Sequence, residues 1–131
     1  MERQRKTLRQ IALAVAVAAS SIVGAPLWAE TYLLMAEEDG CIWCARWDRD
    51  VSTEYPLTAE GKAAPLRRVD IHQPLPDGIE LAQTLQFTPT FVLIQDGQEV
   101  GRLEGYPGEE FFWFLLQELL AEAGEPIGGE G

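Results

Sequence analysis

Cys41-Ile42-Trp43-Cys44, with Tyr32-Leu33-Leu34-Met35-Ala36 before it and Ala45-Arg46-Trp47-Asp48-Arg49-Asp50-Val51 after it, is the stretch on which the fold turns. Its two cysteines are the only ones among 131 residues, and they stand three apart. The apolar run Thr31 to Ala36 has the length and continuity of a buried strand. Glu37-Glu38-Asp39-Gly40 turns the chain. The residues from Cys41 to about Val51 or Thr53 read as a helix, with Cys44, Trp47 and Val51 on its inward face by their three-and-four spacing. Arg46, Arg49 and Asp50 are expected to face water. A pair of cysteines between a strand and a helix start is the geometry of a dithiol–disulfide centre.

The N-terminus bounds where such chemistry takes place. Arg3, Arg5, Lys6 and Arg9 precede the apolar run Ile11 to Val23, which is the charged-then-apolar order of a secretory signal. The run is short for a transmembrane helix, which wants about 20 residues. Residues 1–29 are expected to be a signal peptide cleaved after Ala29, although Leu27 is bulky for that site; the alternative is an uncleaved anchor. Either way the domain is expected outside the cytoplasm, soluble or tethered to the membrane. Residues 30–124 form one domain with a modest core, and 125–131 a flexible Gly-rich tail. Without 1–29 the chain keeps six basic against 20 acidic residues, a net charge of −14 compared with −11 for the whole chain. That surface repels phosphate backbones, so no nucleic-acid partner is expected.

An exported chain can keep a disulfide. A bridge across three residues closes a very small loop, however, and such loops add least to stability in the chain-entropy account. This favours redox chemistry over a purely structural bridge. A zinc site would want four ligands. His72 is the lone histidine and no third cysteine exists, so neither a metal nor a cofactor is implied. His72 itself reads as a strand-end or loop residue.

Downstream, Thr58 with Glu60 and Gly61 can open a short helical turn. Leu66 to Ile71 is a second strand, with Val69 and Ile71 on one side and Asp70 on the other. Pro74, Pro76 and Gly78 form a connection, and Ile79 to Gln86 reads as a short helix burying Leu81, Ala82 and Leu85. Phe91 to Ile94 is a strongly apolar strand, and Asp96-Gly97 marks a hairpin returning through Val100 to Leu103. Glu109 and Glu110 suit the positive end of a helix that runs to about Ala123. On it Phe112, Leu115, Leu116 and Leu119 form the apolar face, Leu120 widens it, and Trp113 lies at its edge. Core packing is the expectation for Phe111 to Leu116, and for Trp47. The fold class is α/β, a mixed sheet of about four strands whose first two are parallel and last two antiparallel, with helices covering both faces.

At the cysteine pair the helix start stabilises the Cys41 thiolate through free amides and the dipole. Cys41 is therefore the nucleophile. Cys44, one turn further in, resolves the mixed disulfide. Glu37, Glu38 and Asp39 oppose a nearby thiolate, and Arg46 can offset them. Trp43 is expected to stand exposed beside Cys41.

These features resemble the thioredoxin superfamily over nearly all of residues 31–123. The resemblance rests on the strand leading into Cys41-Ile42-Trp43-Cys44 and its helix, on Thr88-Pro89-Thr90 opening a strand, and on the Asp96-Gly97 hairpin with Gly105 and the final helix. It implies a minimal thioredoxin-like fold and a cis Pro89 facing the cysteines. It also implies a substrate groove that takes in Trp43, Thr88, Pro89 and Tyr106. The chain departs from thioredoxin's own Trp-Cys-Gly-Pro-Cys signature, and Met35 stands where that family buries an aspartate, so no proton acceptor for Cys44 is evident.

Within the superfamily, Cys41 through Trp47, Thr88 through Leu93 and Gly101 through Gly108 are similar to the periplasmic thioredoxin-like proteins of the bacterial sulfur-oxidation (Sox) gene cluster. That likeness implies a thiol–disulfide oxidoreductase that reduces a cysteine of a sulfur-carrier protein, or of another exported thiol protein, in thiosulfate oxidation. A membrane electron-transfer protein would recycle the pair. The alternatives are a disulfide oxidase or isomerase for exported proteins, and a noncatalytic interaction domain with a structural disulfide.

Overall fold

A computed structural model describes residues 30–125 and 127 of the chain. The expected signal segment and most of the tail lie outside the described residues. The elements are β1 (Thr31–Glu37), α1 (Ile42–Trp47) continuing as a wider π turn through Asp48–Ser52, a 3-10 turn (Tyr55–Leu57), α2 (Ala59–Ala63), β2 (Leu66–Asp70), β3 (Thr90–Gln95), β4 (Gln98–Glu104) and α3 (Glu109–Glu122). The four strands form one sheet in the order β2-β1-β3-β4. β1 and β2 run parallel, and β1 with β3 and β3 with β4 run antiparallel. No helix among the described residues is long and apolar enough to cross a membrane.

The two central strands are covered on both faces, which is why β1 and β3 are apolar without alternation. Leu33, Met35, Phe91 and Leu93 face Trp47 and Val51 from the first helix and Phe112, Leu116 and Leu120 from α3. Trp47 is the centre of this layer, with its ring 5.3 Å from Phe91 and 5.7 Å from Phe112. Tyr32, Leu34, Val92 and Ile94 form the other face, flanked by Val69 of β2 and covered by Leu75, Ile79, Leu81 and Leu85.

That second cover is not helical, contrary to the expectation for Ile79 to Gln86. Pairing with the hairpin takes the backbone groups a helix would use. Glu80 donates to the Gly97 carbonyl at 2.7 Å and accepts from the Glu99 amide at 3.0 Å. The Ala82 amide donates to the Glu99 carboxylate at 2.7 Å, and Arg102 donates to the carbonyls of Gln83 and Thr84. Leu81 and Leu85 are half-buried as apolar plugs, while Ala82 is exposed. β2 also ends one residue early. Ile71 leaves the strand, and its amide donates to the Glu37 carbonyl.

The Phe111 to Leu116 stretch divides. Phe112, Leu116 and Leu120 make the buried stripe of α3, at i, i+4 and i+8, with Leu115 and Leu119 half-buried beside it. Phe111 and Phe114 lie off that stripe and stay 64% and 57% exposed. The core reading therefore holds for Phe112 and Leu116, with Trp113 packed at the edge of the core as expected, and fails for Phe111 and Phe114. The Asp96-Gly97 hairpin forms as read. Both residues have positive φ, 53° and 81°, which is the backbone a two-residue hairpin turn demands.

Candidate redox site

Gly40, at φ 77°, turns the chain from β1 into the helix and leaves Cys41 at the N-cap. Cys41 keeps extended backbone angles, and its Sγ accepts a hydrogen bond from the Cys44 amide at 3.1 Å. Its own amide donates to the Glu38 carbonyl at 3.3 Å. The sulfur thus takes the place of the Ser or Asp oxygen that usually satisfies a free amide at a helix start. Cys41 and Cys44 are disulfide-bonded, with Cα atoms 5.2 Å apart. Their accessibilities differ in the direction the helix implies. Cys41 is half-buried and Cys44 is 5% exposed. Ile42 and Trp43 project outward, 78% and 51% exposed, and the Arg46 guanidinium lies over the Trp43 ring at 5.4 Å.

Both cysteines open onto a cavity of about 540 Å³ whose walls are strongly acidic, with Glu37, Glu38, Asp39, Asp48 and Asp70. Local pairing restrains these charges. Arg68 of β2 donates to Glu37 at 2.7 Å, to Asp48, and to Ser52 Oγ at 3.0 Å. Partial burial works against the charged guanidinium, but the bonds to Asp48 and Glu37 outweigh it and hold its pKa above the ordinary value. Glu38 accepts from the Thr88 hydroxyl at 2.7 Å and meets His72 Nε2 at 2.6 Å. The Thr88 bond first, and His72 second, hold its carboxyl below the usual range. Arg68, rather than Arg46, is the cation that offsets the acids beside the sulfurs. The clue in the sequence is an arginine at the position of β2 where alternation from Leu66 points toward the helix layer.

The Thr88-Pro89 bond is cis. Pro89 is buried at the entry to β3, and its carbonyl accepts from the Gly105 amide at 2.7 Å. Phe87, just before, is 55% exposed. Tyr106 is 6% exposed, and its hydroxyl donates to Asp50 Oδ2 at 3.0 Å. Burial, and then the bond to Asp50, push its pKa up to about 12. Its edge still lines a second concavity of about 380 Å³ with Trp43, Arg46 and Asp50. α1 therefore separates two hollows, one holding the sulfurs and the acids, the other Trp43 and Tyr106. Thr88 reaches the first through Glu38. His72 lies at the end of β2, as read, yet it belongs to this polar cluster through the same carboxylate. The Glu38 and Arg68 links join residues far apart in the chain, and no local pattern announces them. Among the described residues, no group of three or more His, Cys, Asp or Glu is arranged to hold a metal ion.

No family model and no curated protein matches the chain. Among solved structures, it is similar to the periplasmic thioredoxin SoxS from Paracoccus pantotrophus, crystallised in its reduced form. The two are 55% identical over 72% of this chain and 99% of that chain, with a TM-score of 0.71. That likeness covers essentially the whole of the solved thioredoxin, and it agrees with the four-stranded mixed sheet and the disulfide at the helix start. The chain accordingly belongs to the thioredoxin family and is a thiol–disulfide oxidoreductase.

Proposed function

We propose that the protein works in the periplasm as a reductant of a cysteine on a sulfur-carrier protein in thiosulfate oxidation. The observation that carries this reading is the 55% identity to a periplasmic SoxS thioredoxin. Support comes from the unequal sulfurs, Cys41 at the helix N-cap and Cys44 behind it. In the reduced protein the Cys41 thiolate attacks a disulfide-linked or blocked sulfur on the partner. A bond forms between Cys41 and the partner cysteine, and the displaced sulfur leaves as a thiolate that takes up a proton. Cys44 then loses its proton and attacks Cys41 Sγ. The partner leaves as a free thiol, and Cys41 and Cys44 are left as the disulfide. The partner sulfur has gained two electrons and the pair has lost two. A membrane electron-transfer protein supplies two electrons and restores the reduced pair.

The exposed Ile42, Trp43 and Phe87 side chains suit contact with a partner surface around its cysteine. Glu37 and Asp48 line the same cavity as Cys44, and both are bonded to Arg68. Export of residues 30–131 by the segment 1–29, either cleaved or kept as a tether, is part of the same proposal.

A Cys44→Ser variant in the native host tests the reading, because it stalls the reaction at the partner-linked stage. The expected result is a stable adduct with the sulfur-carrier protein, together with wild-type protein that is mostly reduced at steady state. Mostly oxidised wild-type protein, with adducts to many newly exported proteins, would instead make it an oxidase or isomerase. The absence of any adduct would point to a noncatalytic domain.

A further inference from the structure

We infer that Glu38 is a positioning residue that locks the partner-facing Thr88 segment to the turn carrying Cys41. Its two carboxylate oxygens do separate jobs. Oε1 accepts from Thr88 Oγ1 at 2.7 Å, across 50 residues of sequence, and Oε2 meets His72 Nε2 at 2.6 Å, across 34. The main chain of the same residue accepts from the Cys41 amide at 3.3 Å. One residue thereby joins the β1-to-α1 turn, the exit of β2 and the entry to β3, all at the end of the sheet where the sulfurs lie. Glu38 also lines the cavity onto which both cysteines open.

The remaining polar contacts of the Thr88 segment show why this bond matters. Thr90 Oγ1 donates to the Phe87 carbonyl at 2.6 Å, and the Gly105 amide holds the Pro89 carbonyl at 2.7 Å. Those bonds fix the segment to itself and to β4, and the ladder pairs Thr90 with Ala36 at the end of β1. Among the described residues, the bond from Thr88 to Glu38 is the side-chain bond that ties it to the turn beyond β1, where Cys41 lies. His72 is held in turn by Asp70, which accepts from the His72 amide at 2.8 Å. A charge-assisted bond is roughly twice as strong as a neutral one, and both of the Glu38 bonds are of that kind while its carboxylate is ionised. Thiol–disulfide exchange needs the attacking sulfur aligned with the bond it breaks, and an error of about 1 Å in placement can cost on the order of 100-fold in rate. A tether between the sulfur and the segment that receives the partner chain therefore acts on the half-saturating concentration and on the reaction rate without touching substrate. This inference rests on the proposed reductase role, in which the exposed Phe87 next to Thr88 meets the partner.

The test uses pre-reduced protein and a ten-residue peptide whose cysteine is linked to 2-nitro-5-thiobenzoate, with release of the coloured thiol followed against peptide concentration. Glu38→Ala and Thr88→Val should each raise the half-saturating concentration about 10-fold. The double variant should be no worse than either single one, because both remove the same bond. Glu38→Gln and Thr88→Ser, which keep an acceptor and a donor at that place, should stay within about 3-fold of wild type. Additive losses in the double variant would overturn the inference, and so would a Glu38→Gln loss as large as that of Glu38→Ala. A wild-type protein that fails to react with the peptide sinks the reductase reading instead. The tether is then decided by backbone amide exchange at Phe87 and Thr88, which should speed up in Glu38→Ala and not in Glu38→Gln. Unchanged exchange in Glu38→Ala would overturn it.

Discussion

The amide of Cys44 donates to the sulfur of Cys41 at 3.1 Å, so the residue that must part with a proton first is also the residue that caps the helix. In the reduced protein that amide favours the thiolate of Cys41 over its thiol. Cys44, at 5% exposure, has neither the access nor the donor. Limited alkylation of the reduced protein with iodoacetamide at neutral pH should therefore label Cys41 well before Cys44, as read by peptide mass. Equal labelling of the two in the folded protein would show that the helix start does not set their roles.

The first helix is followed by a tight crossing that leaves no room for a side chain. A Cβ on Gly61 would lie 1.8 Å from the Tyr55 carbonyl oxygen, a backbone atom that cannot step aside. On Gly101 the same atom would meet only the Cδ2 end of Leu119, at 2.5 Å, and that side chain can rotate. Gly61→Ala should cost about 3 kcal/mol or more in urea unfolding and Gly101→Ala about 1 kcal/mol, within the span typical of overpacking. A smaller loss at Gly61 than at Gly101 would contradict the packing described.

Much of the fold was legible because it depends on local pattern. β1 and β3 are unbroken apolar runs, the signature of strands covered twice, and Asp96-Gly97 names its own turn. Thr58 caps α2 by accepting from the Gly61 amide at 3.0 Å, as its place before a short helix suggested. What was not legible is set by distant partners. Leu81 and Leu85 have helical spacing, yet Glu99 and Arg102 from β4 seize the backbone between and around them. At the site, the cysteines and the Thr88-Pro89 pair stand out in sequence. The carboxylate that links Thr88 to the cysteine turn does not, because Glu38 looks like one of three equivalent acids until His72 and Thr88 are seen beside it. Phe111 and Phe114 share an apolar helix with Phe112, and only the width of the layer beneath decides which of them it covers.

Arg68 offers a direct test of the electrostatics around the sulfurs. It is the shared cation of Glu37 and Asp48, both on the cavity that contains Cys41 and Cys44. Arg68→Met leaves those carboxylates unopposed, and like charge nearby disfavours a thiolate. Cys41 should then react more slowly with iodoacetamide at neutral pH, and the deficit should shrink in about 1 M salt, where screening acts over roughly 3 Å. The groups are partly exposed, so the stability cost should be modest, about 1 kcal/mol. An alkylation rate unchanged from wild type would mean that the acids do not reach the sulfur electrostatically.

Tyr106 gives the fold a dependence on alkaline pH. Burial and the bond to Asp50 push its pKa up to about 12, above the value of about 10 for an exposed tyrosine. The folded chain therefore keeps a proton that the unfolded chain gives up. The stabilisation is fully present below about pH 10 and is lost as pH rises from there through about 12, at close to 1.4 kcal/mol per pH unit for the one group. Tyr55, whose pKa burial also raises, adds a fall in the same direction. Tyr106→Phe should cost about 1 kcal/mol at pH 7, because Asp50 loses its hydroxyl donor. It should also flatten, without abolishing, the loss of stability between pH 10 and 12. Urea unfolding of the two proteins at pH 7, 9 and 10.5 reads both effects. Parallel curves at every pH would show that the Tyr106 hydroxyl ionises as freely in the folded chain as in the unfolded one.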